Sequence, residues 1–147
     1  MSDWFLPEAE RPRSSGNLVI PHLHGISYFA RLAEVVGATK AGDRVYFTDW
    51  RGDPDELLTE QGPSIGELLC QAAHRKVDVR GLLWRSHSDK TSFSAQENQR
   101  LGTEINDAGG EALLDQRVRR GGSHHQKMVI IRHRDRPEAD LAFVRRH

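Results

Sequence analysis

Apolar and polar residues along the chain follow two spacings, one typical of helices and one typical of strands. Helical spacing occurs in residues 26–36 and again after Pro63, whose missing amide suits the first turn of a helix. A third helix is predicted from Ser94, which forms a capping-box pattern with Glu97, to about Asn106. Strands are predicted at residues 44–48, 77–84 and 111–115, and in the segment that carries Lys127.

The order of these elements predicts the fold class. Because strands alternate with helices, we expect an α/β protein with a mixed, mostly parallel sheet and helices on its faces. Residues 1–17 are polar and contain two prolines and a glycine, which predicts a flexible lead-in. Residues 18–147 then form one domain, long enough to bury a hydrophobic core.

Composition narrows the class of function. Lysine plus arginine and aspartate plus glutamate number 21 each, and this balance argues against a strongly basic nucleic-acid-binding protein. Cys70 is the only cysteine, so an internal disulfide is excluded. No apolar run approaches membrane-spanning length, and the N-terminus lacks the basic-then-apolar order of a secretory signal. We therefore expect a cytoplasmic protein, with peripheral contact to a membrane left open.

The most informative segment for chemistry begins at Ser123 and reads SHHQKMVII. Four consecutive apolar residues at its end predict a strand that is buried on both faces. Because side chains alternate along an extended chain, His125 and Lys127 should point to one side and Gln126 to the other. An imidazole beside an ammonium suits attack on a phosphate, since one group is a nucleophile and the other neutralises oxygens.

Residues 125–127 resemble the opening of the HxKxxxxD motif of the phospholipase D superfamily. The surrounding segments resemble the amino-terminal catalytic half of such a protein, in the family's order, from about His24 to Val144. These segments are FTDWR at 47–51, GLLW at 81–84, GGSHHQK at 121–127 and DLAFV at 140–144. The ordered set is more specific than the short motif, and it implies a phospholipase D-like half-domain.

The chain departs from the family pattern in two places. The motif's aspartate position is occupied by Arg132, which places catalysis in doubt, although that aspartate is thought to support the site and not to attack phosphate. After Val144 the family continues with glycines and a later carboxylate that orients the histidine. Here the sequence reads Arg145-Arg146-His147, so we expect a domain that is incomplete at its C-terminus.

The resemblance implies a two-step displacement at a phosphodiester without a metal or other cofactor. His125 would attack phosphorus and form a phosphohistidine, and Lys127 would stabilise the charged oxygens. The family completes its site with a second histidine and lysine, from an internal repeat or from a homodimer. This sequence contains one clear motif, so its partner would be a second copy of the chain or a missing second half.

Three functions remain open from sequence. The first is a phospholipase D-like phosphodiesterase that acts on a phospholipid or another phosphodiester. The second is a truncated, catalytically incomplete half-domain. The third is a non-enzymatic module that binds phosphate or lipid. A dimeric nuclease is a further alternative, which the neutral net charge disfavours.

Several other residues are candidates for substrate binding. Arg51 and Arg85 could hold phosphate with their planar guanidinium groups, and a salt bridge from Arg51 to Asp53 or Asp55 is the alternative. The remaining candidates are Trp50 and Trp84, as walls of a pocket, and Ser123, as a hydrogen-bond donor to phosphate. No metal site is predicted, because His22 and His24 lack assembled carboxylate or cysteine partners.

The fold class also predicts where the site lies. Ligands of open α/β sheets bind outside the carboxyl ends of strands, which is where Trp50 and Trp84 fall. His125 lies instead at the start of its strand. If this strand runs antiparallel to the others, its start lies near their ends, and we take this direction as a hypothesis.

Overall fold

The computed structural model describes residues 16–85, 95–119 and 121–145. These residues form a mixed α/β fold, which confirms the predicted fold class. The helices are α1 (Gly25–Gly37), α2 (Ile65–His74) and α3 (Ala95–Asp107), with a short 3-10 turn at Pro137–Ala139. The strands are β1 (Arg44–Asp49), β2 (Asp78–Trp84), β3 (Glu111–Asp115), β4 (Met128–Arg132) and β5 (Leu141–Val144). The predicted cap at Ser94 and most of the lead-in lie outside the described residues.

The five strands form one sheet in the order β3-β2-β1-β4-β5. β1 pairs in parallel with β2, and β2 with β3, whereas β4 runs antiparallel to both of its neighbours. Four strands therefore point one way and β4 points the other way. This reversal places the start of β4 beside the end of β1, with Met128 opposite Thr48, as the sequence analysis expected.

The helices begin and end for local reasons. His24 precedes α1, and its carbonyl oxygen accepts hydrogen bonds from the hydroxyl of Ser27 and the backbone N–H of Tyr28. The cap of α2 is Ser64 and not Pro63, because Ser64 and Glu67 form a reciprocal capping box. After α3, the amide of Asn106 exchanges two hydrogen bonds with the backbone of Ala112 and ties the helix to β3.

The hydrophobic core lies between one face of the sheet and the three helices. Alternate strand residues contribute to this core, among them Val45, Phe47, Val79, Leu83, Ile131 and Phe143. Each helix contacts this face: Tyr28 of α1 packs edge-on against Phe143, and residues of α2 and α3 join the same core cluster. In the described part of the chain, all three helices therefore cover the same face.

The opposite face of the sheet is less covered than the sequence suggested. Leu113 and Val144 on this face are 58% and 71% exposed. In β4 only Ile131 is fully buried, while Met128, Val129 and Ile130 are half-buried. The prediction that this strand is buried on both faces is thus wrong for the described residues, because no described helix packs on its second side.

Candidate functional site

The candidate site lies at the sheet edge where β1 and β2 end and β4 begins. His125 and Lys127 precede β4 in an extended segment, one residue short of the hydrogen-bonded ladder. Their side chains point to the same side, with Nε2 of His125 3.2 Å from Nζ of Lys127. Because an ammonium can only donate, this contact requires the lone pair on Nε2 and the imidazole proton on Nδ1.

Two tryptophans form the wall of the site beside this pair. The rings of Trp50 and Trp84 stack with centroids 6.1 Å apart. They are neighbours because Asp49 pairs with Leu83, and each tryptophan is the next residue in its chain segment. The ring of His125 lies 4.9 Å from Trp50, and Nζ of Lys127 lies 5.4 Å from the same ring. The structure therefore brings four of the predicted residues together, and Trp50 is their common neighbour.

The other predicted residues are placed differently. A salt bridge from Arg51 to Asp53 or Asp55 was the alternative to phosphate binding. The guanidinium of Arg51 forms a bidentate ion pair with Glu97 of α3, at 2.7 and 3.1 Å. Arg85 is exposed, and its backbone N–H donates to the carbonyl of Asp115. Ser123 is exposed in the approach to β4.

A groove of about 400 Å³ opens beside the His–Lys pair. It is lined by Trp50, Arg51, Asp53, Glu56, Lys127 and Arg145. A smaller cavity of about 70 Å³ shares Lys127 and Arg145 with this groove, and its walls include the apolar side chains of Phe29, Phe47 and Leu101. The site thus combines charged side chains of both signs with an apolar cavity.

Two charged groups of this cavity are shifted by their surroundings. Burial raises the pKa of Asp49, although the backbone N–H groups of Arg51 and Trp50 and the cations Arg145 and Lys127 oppose the rise. Burial also lowers the pKa of Lys127, and Arg145 adds to this effect while Asp49 opposes it. Each shift favours the neutral form of its group. An approaching anion would favour the neutral form of Asp49 further, but it would favour the charged form of Lys127.

A fully buried asparagine holds the strand ends in place. Oδ1 of Asn98 accepts the backbone N–H of Gly52 at 2.6 Å, and Nδ2 donates to the carbonyls of Trp50 and Trp84 at 3.0 and 2.6 Å. One side chain therefore links both tryptophan positions and the loop after β1. Sequence reasoning missed Asn98, because it lies in a polar helix and its partners are 14 to 48 residues away.

His124, the residue before His125, lies near the end of β3. Its side chain is 8% exposed, and Nδ1 lies 3.9 Å from an oxygen of Asp115. Within the described residues, neither ring nitrogen of His124 has a hydrogen-bond partner, and the same holds for the indole nitrogens of Trp50 and Trp84. His124 is therefore a buried neighbour of the site and not a surface histidine.

Arg132, at the motif's aspartate position, lies away from the His125–Lys127 pair. Its Nε pairs with Asp140 at 2.7 Å, at the far end of β4 from Lys127. The described residues contain no group of three or more histidine, cysteine or carboxylate side chains that could hold a metal ion. Among the described helices, none has both the length and the apolar character needed to cross a membrane.

The fold and the site define a mixed α/β protein with a histidine–lysine pair at the edge of its sheet. Neither a protein-family model nor a curated protein matches the chain. Among solved structures, the chain is similar to polyphosphate kinase from Porphyromonas gingivalis, with 18% sequence identity and a TM-score of 0.49. The similarity covers 74% of this chain and 16% of the kinase chain, so the chain spans a small part of that protein's length.

Proposed function

We propose that this chain is a phospholipase D-like half-domain that binds a phosphodiester and attacks it through His125. The observation that carries the proposal is the 3.2 Å contact between Nε2 of His125 and Nζ of Lys127 at the edge of an open groove. The proposed family rests on the resemblance of residues 125–127 to the opening of the HxKxxxxD motif. The proposed substrate is a phospholipid or another phosphodiester.

The contact between the two side chains suggests how binding and attack are linked. Lys127 donates to the lone pair of Nε2 when no substrate is bound. A phosphodiester oxygen is a stronger acceptor for an ammonium than a neutral imidazole, because the hydrogen bond is then between opposite charges. When Lys127 turns to the substrate oxygen, the lone pair of Nε2 is released to attack phosphorus. A bond from Nε2 to phosphorus forms while the bond from phosphorus to the leaving oxygen breaks, and that oxygen takes a proton from the second histidine of the family site and leaves as an alcohol.

The second histidine and lysine of the family site would come from a second copy of this chain or from a missing half. The described residues contain one histidine–lysine pair of this kind, and it lies at an accessible edge of the sheet. A complete site therefore requires association of two such edges. Light scattering should detect a dimer if the partner is a second copy, and a strict monomer at all concentrations would contradict this arrangement.

The experiment that tests the nucleophile uses bis(4-nitrophenyl) phosphate, whose cleavage releases a coloured alcohol. The protein is quenched in base, in which phosphohistidine survives, and the adduct is measured by mass spectrometry. We expect an adduct on His125 that is absent in His125→Ala and present in His74→Ala, which removes an exposed histidine of α2. Hydrolysis that is unchanged in His125→Ala would contradict the proposed role.

A second candidate is a module that binds a phosphoester without cleaving it. The observation that favours it is the pairing of two cations, Lys127 and Arg145, over an apolar cavity, which can bind an anion without any nucleophile. Retention of diphenyl phosphate by the wild-type chain, together with no alcohol release from any diester, would select this function. In that case His125→Ala should bind the anion nearly as well as the wild-type chain.

A further inference from the structure

Three charged side chains form a row across neighbouring strands at the candidate site. Phe47 pairs with Val129 and Val129 with Phe143, and these three residues face the helices. Two residues after Phe47 and Phe143, and two residues before Val129 on the reversed strand, the same face carries Asp49, Arg145 and Lys127. The backbone N–H of Arg145 donates to the carbonyl of Lys127 at 3.3 Å, so the ladder continues to this row.

The row lies in a partly closed environment. All three side chains line the cavity of about 70 Å³, and most of the other lining residues are apolar. Arg145 packs its guanidinium 5.2 Å from the ring of Phe29, which fixes it above the same cavity. The charged and titratable groups that face this row from neighbouring elements are Tyr28 of α1, Arg51, Asp53 and Glu56 of the loop after β1, and His125 beside Lys127.

The row has two cations, Lys127 and Arg145, and one carboxylate, Asp49. The groove beside it adds the carboxylates of Asp53 and Glu56, while Arg51 is paired with Glu97. A phosphodiester that binds between Lys127 and Arg145 brings a negative charge next to a carboxylate that burial already disfavours. Two negative groups that share a partly closed site repel each other, and uptake of a proton by one of them relieves this repulsion. A phosphodiester is a far weaker base than a carboxylate, and the proton therefore goes to Asp49.

We propose that Asp49, Lys127 and Arg145 form an anion site in which Arg145 is the second cation and Asp49 binds a proton together with the phosphodiester. The neutral carboxyl then donates a hydrogen bond to a phosphate oxygen instead of repelling it. This inference rests on the proposed phosphodiester site at Lys127. In the site that the family resemblance implies, a second motif provides the second cation and the proton. Here Arg145 provides the cation and Asp49 provides the proton.

The proton is measured by titration calorimetry with diphenyl phosphate, whose single charge does not titrate between pH 5 and pH 7. Binding is followed at several pH values in two buffers of different ionisation enthalpy, so that the number of protons taken up is obtained directly. We expect net uptake by the wild-type chain and none by Asp49→Asn. Asn keeps the acceptor that Asp49 presents to the backbone N–H of Arg51. Asp55→Asn removes the same charge from an exposed position outside the groove, where Asp55 pairs with Arg100, and should keep the uptake.

The cation is tested in the same assay with Arg145→Ala, for which we expect about tenfold weaker binding from the loss of one charge-assisted contact. NMR titration of the Asp49 carboxyl carbon in the wild-type chain needs no variant, and its pKa should rise further when diphenyl phosphate is present. Each variant is first compared with the wild-type chain by circular dichroism. A variant that does not fold leaves this NMR titration as the deciding measurement.

The outcomes separate this inference from the proposed function. Uptake that persists in Asp49→Asn, or that disappears only in His125→Gln, assigns the proton to another group and overturns the inference while the phosphodiester site stands. If Arg145→Ala binds diphenyl phosphate as tightly as the wild-type chain, Arg145 is not the second cation, and the inference is overturned as well. Failure of the wild-type chain to bind diphenyl phosphate overturns both.

Discussion

Replacement of Asn98 by alanine is the sharpest test of how this site is held together. The side chain of Asn98 is fully buried and makes three hydrogen bonds to the backbone. Two of them go to the carbonyls of Trp50 and Trp84, and one comes from the N–H of Gly52. Alanine leaves these groups buried without a partner, so we expect a large loss of stability together with a disturbed tryptophan wall.

The size of the loss follows from the number of orphaned groups. A buried donor or acceptor left without a partner costs about 1–3 kcal/mol, and partial entry of water reduces the sum. Three such groups predict a loss of about 3–5 kcal/mol in the free energy of unfolding. Since single domains are stable by about 5–15 kcal/mol, the variant should remain folded only marginally at room temperature.

The assay is urea unfolding followed by far-ultraviolet circular dichroism, with near-ultraviolet spectra as a report on the stacked tryptophans. Asn106→Ala is the matched control, because Asn106 also makes two backbone hydrogen bonds but is exposed. Water can replace those partners, and we expect a loss of about 1 kcal/mol. A loss for Asn98→Ala that is no larger than that of the control would refute the reasoning.

Three further predictions concern single positions. Gly81→Ala should lower the free energy of unfolding in urea by about 1–3 kcal/mol, because the added Cβ would overlap the ring of Phe47. Gly102→Ala in α3 is the control: its Cβ meets only ordinary contacts, and the free energy of unfolding should rise by up to about 1 kcal/mol. Asp49→Asn should be more stable than the wild-type chain at pH 8. Burial raises the pKa of Asp49, so its contribution to the stability of the wild-type chain is complete below the ordinary pKa of 3.8 and is lost as pH rises through the folded-state pKa, by about 1.4 kcal/mol for each pKa unit. A stability gap between the two chains that is already present at about pH 3 would contradict this. Arg132→Ala breaks an ion pair whose arginine is 60% exposed and should change stability by less than about 1 kcal/mol, without weakening diphenyl phosphate binding.

The type and order of the elements could be predicted from the sequence because periodicity is a local property. The apolar pattern of each segment indicates α1, α2 and the strands β1 to β4 without knowledge of their neighbours, whereas α3 was predicted from a capping-box pattern and β5 only from the family resemblance. The alternation of side chains placed His125 and Lys127 on one side of their segment. The antiparallel direction of β4 was a hypothesis, which its pairing with β1 confirms. Burial of β4 was mispredicted, because four apolar residues do not reveal whether a second layer covers them.

The missing parts of the site depend on contacts between distant segments. Arg51 had two nearby carboxylates in sequence, yet it pairs with Glu97, which is 46 residues away. Arg145 was taken only as a departure from the family pattern. Its position beside Lys127 depends on the pairing of β4 with β5, which the sequence does not specify. Asn98 has no local signal at all, since a polar residue in a polar helix is ordinarily exposed.

The register of β4 decides what the site contains. Side chains alternate across a sheet, so a slip of one residue would place Gln126 opposite Asp49 and turn Lys127 to the other face. The apolar rows below the site oppose this slip, because it would expose Ile131 and Val129 and turn their polar or less buried neighbours toward the helices. The core that stabilises the strand thus also fixes which charges meet at its end. Substitutions that leave the His–Lys pair intact but loosen these rows should therefore weaken anion binding before they unfold the chain.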